Sequence, residues 1–492
     1  MTTDLNATAE DHDVLDHAGP ALRRLDQLPG PRALPLIGNA HQVDRPRIHQ
    51  DIERWAKQYG PLFHMALGPQ AVLVVGDHEL VTKVLKDRPG TFRRSARMTE
   101  LLLETGLKPG VFHAEGDAWQ NQRRMVMSGF SPGNIRRYYP SLLRVTQRLR
   151  GRWTHAARTG QSIELLPDLM RFTVDAVAGL AFGTDINTLE GGEDVIQRHL
   201  DKILPTYFRR IFSLVPYWRL LKLPGDREFD RSVRAINVVI ADFIAQARER
   251  LRLDPNLREH PNDLLEAMIA AADQPGSGVN DDDVAGNMFT LLLAGEDTTA
   301  STLAWMIYLL RQNPKALRRA TAQVRGVVAD TSEMTLDQLA SLDYLEACAN
   351  ETMRLKPVGP FNPVEAVHDT IVGDVLVPAG TVVWCMVRHD SVSAEHFPDP
   401  LAFKPERWLE TEQATGGVHS AKRVSMPFGS GPRVCPGRYL ALLEMKMALA
   451  MLLTHFDIDQ VSTPDGLPAQ EHMAFTMSPI GLSMKLRQRG SD

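Results

Sequence analysis

The sequence predicts a mainly α protein: one large helical domain with a minor β-rich region. Three observations carry that reading. Runs with helical spacing dominate from residue 116 to about residue 356. Short alternating segments lie before and after that block, bounded by Pro and Gly turns. No internal repeat, low-complexity linker or second composition regime divides the 492 residues. With 43% hydrophobic residues the chain can bury a sizeable core.

The elements follow in chain order. Residues 1–26 read as a disordered lead, because "MTTDLNATAEDHDVLDHAG" is acidic and polar, and the single domain occupies 27–492. "LPGPRALPLIGN" (28–39) is a Pro/Gly arm that cannot be helix. "PLFHMALGPQAVLVV" (61–75) alternates and turns at Gly68-Pro69, as a β-hairpin does. Helical patterns span 116–129, 140–158, 163–183, 226–252, 282–312, 314–329 and 342–355. Short strands follow in "TIVGDVLVPAGTVVWCMV" (370–387) and "AFTMSPIGLSMKLRQ" (474–488).

Composition excludes several classes. A net charge of −5 and a pI near 6.4 do not suit a nucleic-acid binder. The N-terminus is neither a signal peptide nor an anchor, and no window reaches the roughly 18 uninterrupted apolar residues of a membrane span. Glu296 and Asp297 break the longest candidate. Cys348, Cys385 and Cys435 are too few and too scattered for a disulfide framework or a zinc site. A reducing, cytoplasmic setting is therefore expected. No G-x-G-x-x-G opens a helix after a strand, which argues against a dinucleotide-binding fold.

The stretch "SMPFGSGPRVCPGRYLALLEMKMALAMLL" (425–453) sets Cys435 between glycines and an apolar helix. A thiolate held close to a flat cofactor needs backbone of little bulk, which Gly429, Gly431 and Gly437 supply. Backbone N–H groups at a helix start near Pro436 would lower the thiol pKa. Arg433 suits an anionic group of such a cofactor. Taken alone, Cys435 reads equally as a loop cysteine ahead of a core helix.

The register Phe428-x-x-Gly431-x-Arg433-x-Cys435-x-Gly437 resembles the haem-binding signature of the cytochrome P-450 superfamily at every defining position. The resemblance implies haem b, held over a loop at 428–437 with Cys435 as the proximal thiolate ligand to iron. Phe428, Gly429 and Gly437 line that loop, and Arg433 partners a propionate. Motifs in family order run from the proline-rich arm near residue 29 to a hairpin near 479.

Further stretches match. "AGEDTT" (Ala294–Thr299) interrupts an apolar helix, 282–312, with residues that helix interiors disfavour; Gly295 alone costs about 1 kcal/mol relative to alanine. In the family this stretch widens the helix, with Ala294 and Gly295 against the haem. Asp297 and Thr298 then stand where the family's acid–alcohol pair delivers protons to dioxygen. Glu296 receives no role. "NETMRLKP" (350–357) matches the family's E-x-x-R element, with Arg407 of "FKPERW" as third member; the resemblance makes Glu351, Arg354 and Arg407 a structural clamp. Trp119 and Arg123 share one helical face and, by resemblance, look toward a propionate, with His113 nearby as a further candidate. Val364 departs from the family, many members of which carry arginine there.

The resemblance implies an O2-dependent monooxygenase that hydroxylates an apolar small molecule such as a fatty acid, terpenoid or steroid-like compound. Met98, Leu101, Leu102, Leu103, Phe212, Leu214, Phe289, Leu293, Val358, Phe361, Phe475 and Met477 are its expected pocket wall. "LKLPGDREFD" (221–230) reads as a lid. No flavin or iron–sulfur extension follows the domain, so a monomer supplied by a separate ferredoxin or flavodoxin with its reductase is expected, with NAD(P)H acting only indirectly. Arg124, Arg438 and Lys446 are the expected basic docking patch.

Overall fold

The fold is organised around one long helix, Asp281–Gln312, in a computed structural model that describes residues 22–191, 195–409 and 421–490. Its start is strongly specified: the Asn280 side chain accepts from the Asp283 N–H, and three aspartates occupy the positive first turn. Its end is set by Asn313, ahead of Pro314, which opens the next helix. At about 1.5 Å per residue this helix spans roughly 48 Å. It is buried over most of its length because Leu165–Phe182, Pro224–Leu253, Leu264–Ala272 and Asp343–Leu355 surround it.

A five-stranded sheet packs to one side, in the order Leu62–Leu67, Gln70–Val75, Val382–Met386, Phe361–Ala366, Phe92–Arg94. The expected hairpin is its edge, with Gly68 at φ +60° in the turn. Gln70–Val75 then runs parallel to Val382–Met386, which places Cys385 in the sheet's core. Smaller sheets join Phe456–Ser462, Ser483–Gln488 and Ile163–Glu164, and Glu471–Met473 with Met477–Pro479.

Two expectations need adjusting. Residues 1–21 of the disordered lead lie outside the described residues, but residues 22–26 belong to the fold. Arg23–Arg24 pair with Val375–Leu376, and Arg23 forms a double ion pair with Asp374 at 2.7 Å. The segment 221–230 is not a free loop: helix Pro224–Leu253 begins inside it, and Asp226 is fully buried against Arg210 at 3.0 Å. Shorter helices that the sequence pattern left unassigned include Ile48–Tyr59, His78–Lys86, Val195–Ile211 and Leu264–Ala272.

Candidate active site

Cys435 closes an irregular loop that runs into helix Arg438–His455. Its N–H donates to the Phe428 carbonyl at 3.0 Å, folding the loop back on itself. Gly431 sits at φ +72°, and a Cβ there would come within 2.6 Å of the Leu85 carbonyl oxygen, so the loop rests on the end of helix His78–Lys86. The Cys435 sulfur accepts from the backbone N–H groups of Gly437 and Arg438, as the helix start requires. The depressed thiol pKa expected from this arrangement is not found. Burial raises it, and the N–H groups, Arg123 and Arg438 only offset part of that rise. A metal bound to the sulfur would favour the thiolate form.

Beside the loop, the buried side chains of Arg433 and Arg88 and the backbone of Arg94 converge on Glu115. Arg433 donates to the Ala114 carbonyl at 2.7 Å and is paired with the Glu115 carboxylate. Arg88 reaches the other Glu115 oxygen at 3.5 Å, and the Arg94 backbone N–H donates to it at 2.6 Å. Burial, with the neighbouring cations, lowers Arg94 to about 9 and Arg433 to about 10, so both stay charged at neutral pH. One carboxylate does not satisfy this cluster. Arg433 Nε and Nη1 and Arg88 Nε are buried without a partner. Buried N–H groups of this kind cost free energy until an acceptor arrives. Two propionates of a haem are such acceptors, so the residues present fit the group.

The register also answers the departure at residue 364. Arg94 lies directly across the strand pair from Val364, and its Nη1 donates to Asn362 at 3.2 Å. Arg94 thus offers a guanidinium on the strand opposite the valine. Sequence reasoning passed over Arg88, Arg94 and Glu115. The available signal was the two-residue period of Phe92–Arg94, which puts Arg94 on the inward face with Phe92.

The other expected cofactor contacts divide. Trp119 stacks under the Arg433 guanidinium, 4.6 Å from ring centre to carbon. Arg123 turns toward the cysteine loop, donating to the Val434 carbonyl at 2.8 Å. His113 Nε2 lies 3.0 Å from the Tyr207 hydroxyl, which itself donates to the Met98 carbonyl at 2.6 Å. Burial, then the Arg94 charge, push His113 down to about 3, so it is a neutral donor to Tyr207.

The central helix runs as unbroken α-helix through Ala294–Thr299, without the expected widening. Gly295 serves close packing: a Cβ would come within 2.5 Å of Val177 on the adjacent helix. Ala294 is exposed although Leu292 and Glu296 beside it are buried, so the helix surface is open at this turn. Asp297 and Thr298 are not hydrogen-bonded to each other. Thr298 Oγ1 donates to the Ala294 carbonyl at 2.7 Å. Asp297 accepts from Thr476 on one oxygen and from Ser301, at 3.4 Å, on the other. Burial raises the Asp297 pKa, and those two hydroxyls only moderate the rise.

The Phe475 ring packs against those of Phe112 and Tyr207, with centroids 6.1 and 5.9 Å away. Phe475 adopts φ +96°, rare for a bulky residue, in the turn that also delivers Thr476. Met98, Leu101, Leu102, Phe289 and Met477 are buried, whereas Leu103 and Leu214 lie on the surface.

Glu351 and Arg354 form a fully buried, two-pronged ion pair at 2.8 Å. Arg407 reaches Glu351 at 3.4 Å, and Trp408 Nε1, which the sequence did not single out, donates to it at 3.0 Å. The expected basic patch needs one correction. Arg124 and Arg438 are exposed, but Lys446 is buried, donating to the Leu339 carbonyl and paired with Glu346. Lys86, Lys422 and Arg423 instead join Arg438 around a cavity of about 600 Å³ that reaches Phe428–Ser430. Among the described residues no helix is long and apolar enough to cross a membrane.

A family model described as Cytochrome P-450 matches residues 28–486. A self-sufficient cytochrome P-450 monooxygenase of Exserohilum turcicum is 28% identical over 95% of this chain, which spans 43% of that longer protein. The chloroplastic carotene epsilon-monooxygenase of Arabidopsis thaliana is 28% identical over 89% of this chain and 81% of its own. Among solved structures, the cytochrome P-450DA haem domain superposes with a TM-score of 0.81 at 23% identity, covering 96% of this chain and 99% of that one.

Proposed function

The chain belongs to the cytochrome P-450 family of haem-thiolate oxidoreductases, and we propose that it hydroxylates an apolar small molecule of the fatty acid, terpenoid or steroid-like class. The balance is one C–H bond, one O2, two electrons and two protons giving one C–OH bond and one water. Bound haem b supplies the redox-active iron at which dioxygen is activated, with Cys435 as its thiolate ligand.

The residues of the chain hold, orient and move protons around that group. Arg88, Arg94 and Arg433 present buried N–H groups suited to the two propionates. Asp297 carries the proposal most directly. Burial favours its protonated form, and it lies beside Thr298 on the turn where Ala294 is exposed. In this reading Thr298 leaves the Ala294 carbonyl to donate its hydroxyl proton toward dioxygen. Asp297 would return that proton from its own carboxyl and be reprotonated from solvent, while the Thr476 and Ser301 hydroxyls hold the carboxylate in place. Phe112, Tyr207 and Phe475 exclude water and favour an apolar substrate. The carotene relative's printed activity agrees with a long hydrocarbon.

Several relatives are fused to a reductase, as their printed names state. For this chain we propose a cytoplasmic monomer served by an acidic ferredoxin or flavodoxin on the face ringed by Lys86, Lys422, Arg423 and Arg438.

The test is turnover of haem-loaded protein with NADPH, ferredoxin and ferredoxin reductase against an apolar substrate panel under labelled O2. One labelled oxygen in the product supports the reading. Thr298→Ala should lose most O2-driven product while keeping peroxide-driven product. Equal loss by both routes would remove Thr298 from proton delivery, and no labelled product from any apolar compound would overturn the assignment. Charge reversal at Lys422 and Arg438 should slow reduction and flatten its salt dependence.

A further inference from the structure

Away from the cysteine and the substrate space, three histidines surround one buried carboxylate. Asp390, in the turn after strand Val382–Met386, accepts from the His78 backbone N–H at 2.7 Å. His78 Nδ1 lies 2.8 Å from the same Asp390 oxygen, and His396 Nε2 lies 3.4 Å from it. His389 Nδ1 lies 2.8 Å from the other oxygen. Gly76 makes this possible, since a Cβ there would meet the His389 ring at 2.9 Å. The His78 and His396 rings meet edge to face at 4.8 Å.

The donor atoms of His78, Asp390 and His396 all lie within 4.8 Å of one another. Ligands about 2.0–2.1 Å from a tetrahedral zinc ion stand roughly 3.3–3.5 Å apart. The three atoms reach that spacing with shifts of about an ångström or less. Two imidazoles and one carboxylate suit a borderline cation rather than calcium or magnesium. His389 and the His78 N–H hold the carboxylate from outside, as second partners of metal ligands do. Entry is available, because His78 also lines the cavity shared with Lys86 and Arg438.

We propose that His78, Asp390 and His396 form a zinc site, with solvent from that cavity as the fourth ligand. The site joins the first turn of helix His78–Lys86 to the 388–396 segment. That helix supports Gly431 at its other end, and the Arg354 guanidinium grips the Ser391 carbonyl in the same segment. Zinc there braces the seat of the haem loop without touching haem or substrate.

The experiment is calorimetric titration of haem-loaded, chelator-stripped protein with Zn2+ alone, followed by zinc-edge X-ray absorption of the one-to-one complex. Wild type should bind one ion, with two imidazole nitrogens in the absorption fit and a slower loss of haem on heating. His396→Ala, at the more exposed ligand, should weaken binding at least 30-fold, whereas exposed His41→Ala should not change it. Binding without defined stoichiometry, a fit lacking two imidazoles, or equal affinity in His396→Ala would each overturn the site.

Discussion

Replacing Arg354 by alanine removes the guanidinium that neutralises Glu351 at a position where neither side chain meets solvent. The two bonds to Glu351 at 2.8 Å disappear, as do the donations to the carbonyls of Ser391 at 2.5 Å and Pro400 at 2.8 Å. Glu351 keeps only the Lys404 N–H at 2.9 Å, Trp408 at 3.0 Å and a distant Arg407. Breaking a buried pair from one side costs about 3–5 kcal/mol, mostly the charge left behind. Against a total stability of about 5–15 kcal/mol this is about a fifth or more for a typical domain. The expected shift in melting temperature is nonetheless modest. At about 2.1 cal/mol/K per residue, a chain of this length has an unfolding entropy near 1 kcal/mol/K, so the midpoint falls by about 3–5 °C. Circular-dichroism melting of haem-loaded protein reads the shift, and the Soret band reads haem retained. Arg354→Lys keeps charge but not the fork, and should fall between. An Arg354→Ala protein that melts within about 1 °C of wild type with full haem would refute the clamp.

Two further outcomes follow from the same geometry. Glu444 is buried on the helix after Cys435, with one oxygen unpartnered, and burial lifts its pKa from about 4.5 to about 8. The folded state then keeps a proton that the unfolded chain releases, so this group's contribution to stability falls as pH rises from about 4.5 to about 8. At about 1.4 kcal/mol per unit, Glu444→Gln should gain about 3 kcal/mol over wild type at pH 7 and about 0.8 kcal/mol at pH 5. Urea unfolding across that range checks it, and a pH-independent difference would contradict it. Arg94→Ala should release haem to an excess of acceptor protein about 10-fold faster or more, from loss of a charge-assisted bond worth about 1.5–3 kcal/mol. Adding Val364→Arg should restore retention, because the two positions are opposed across the strands.

What the sequence disclosed depended on how local the feature was. The cysteine loop and the Ala294–Thr299 turn are continuous, so their residues could be named directly. The arginine cluster is not continuous: Arg88, Arg94, Glu115 and Arg433 meet only after the strand at 92–94 pairs with the strand at 361–366. Lys446 shows the converse. Helical spacing places it on a face, but only the fold shows that face covered by the 336–340 and 343–355 helices. The Cys435 thiol shows a contest of magnitudes that motifs do not reveal, since the helix-start N–H groups are present yet burial outweighs them.

The most direct test of the account is the absorption spectrum of reduced protein under carbon monoxide, for wild type and Cys435→Ser. The account predicts a strongly red-shifted Soret band in wild type, and a folded Cys435→Ser protein without it. Haem-supplied, folded wild type lacking that band would contradict the assignment of Cys435 as ligand, and the proposed hydroxylation with it.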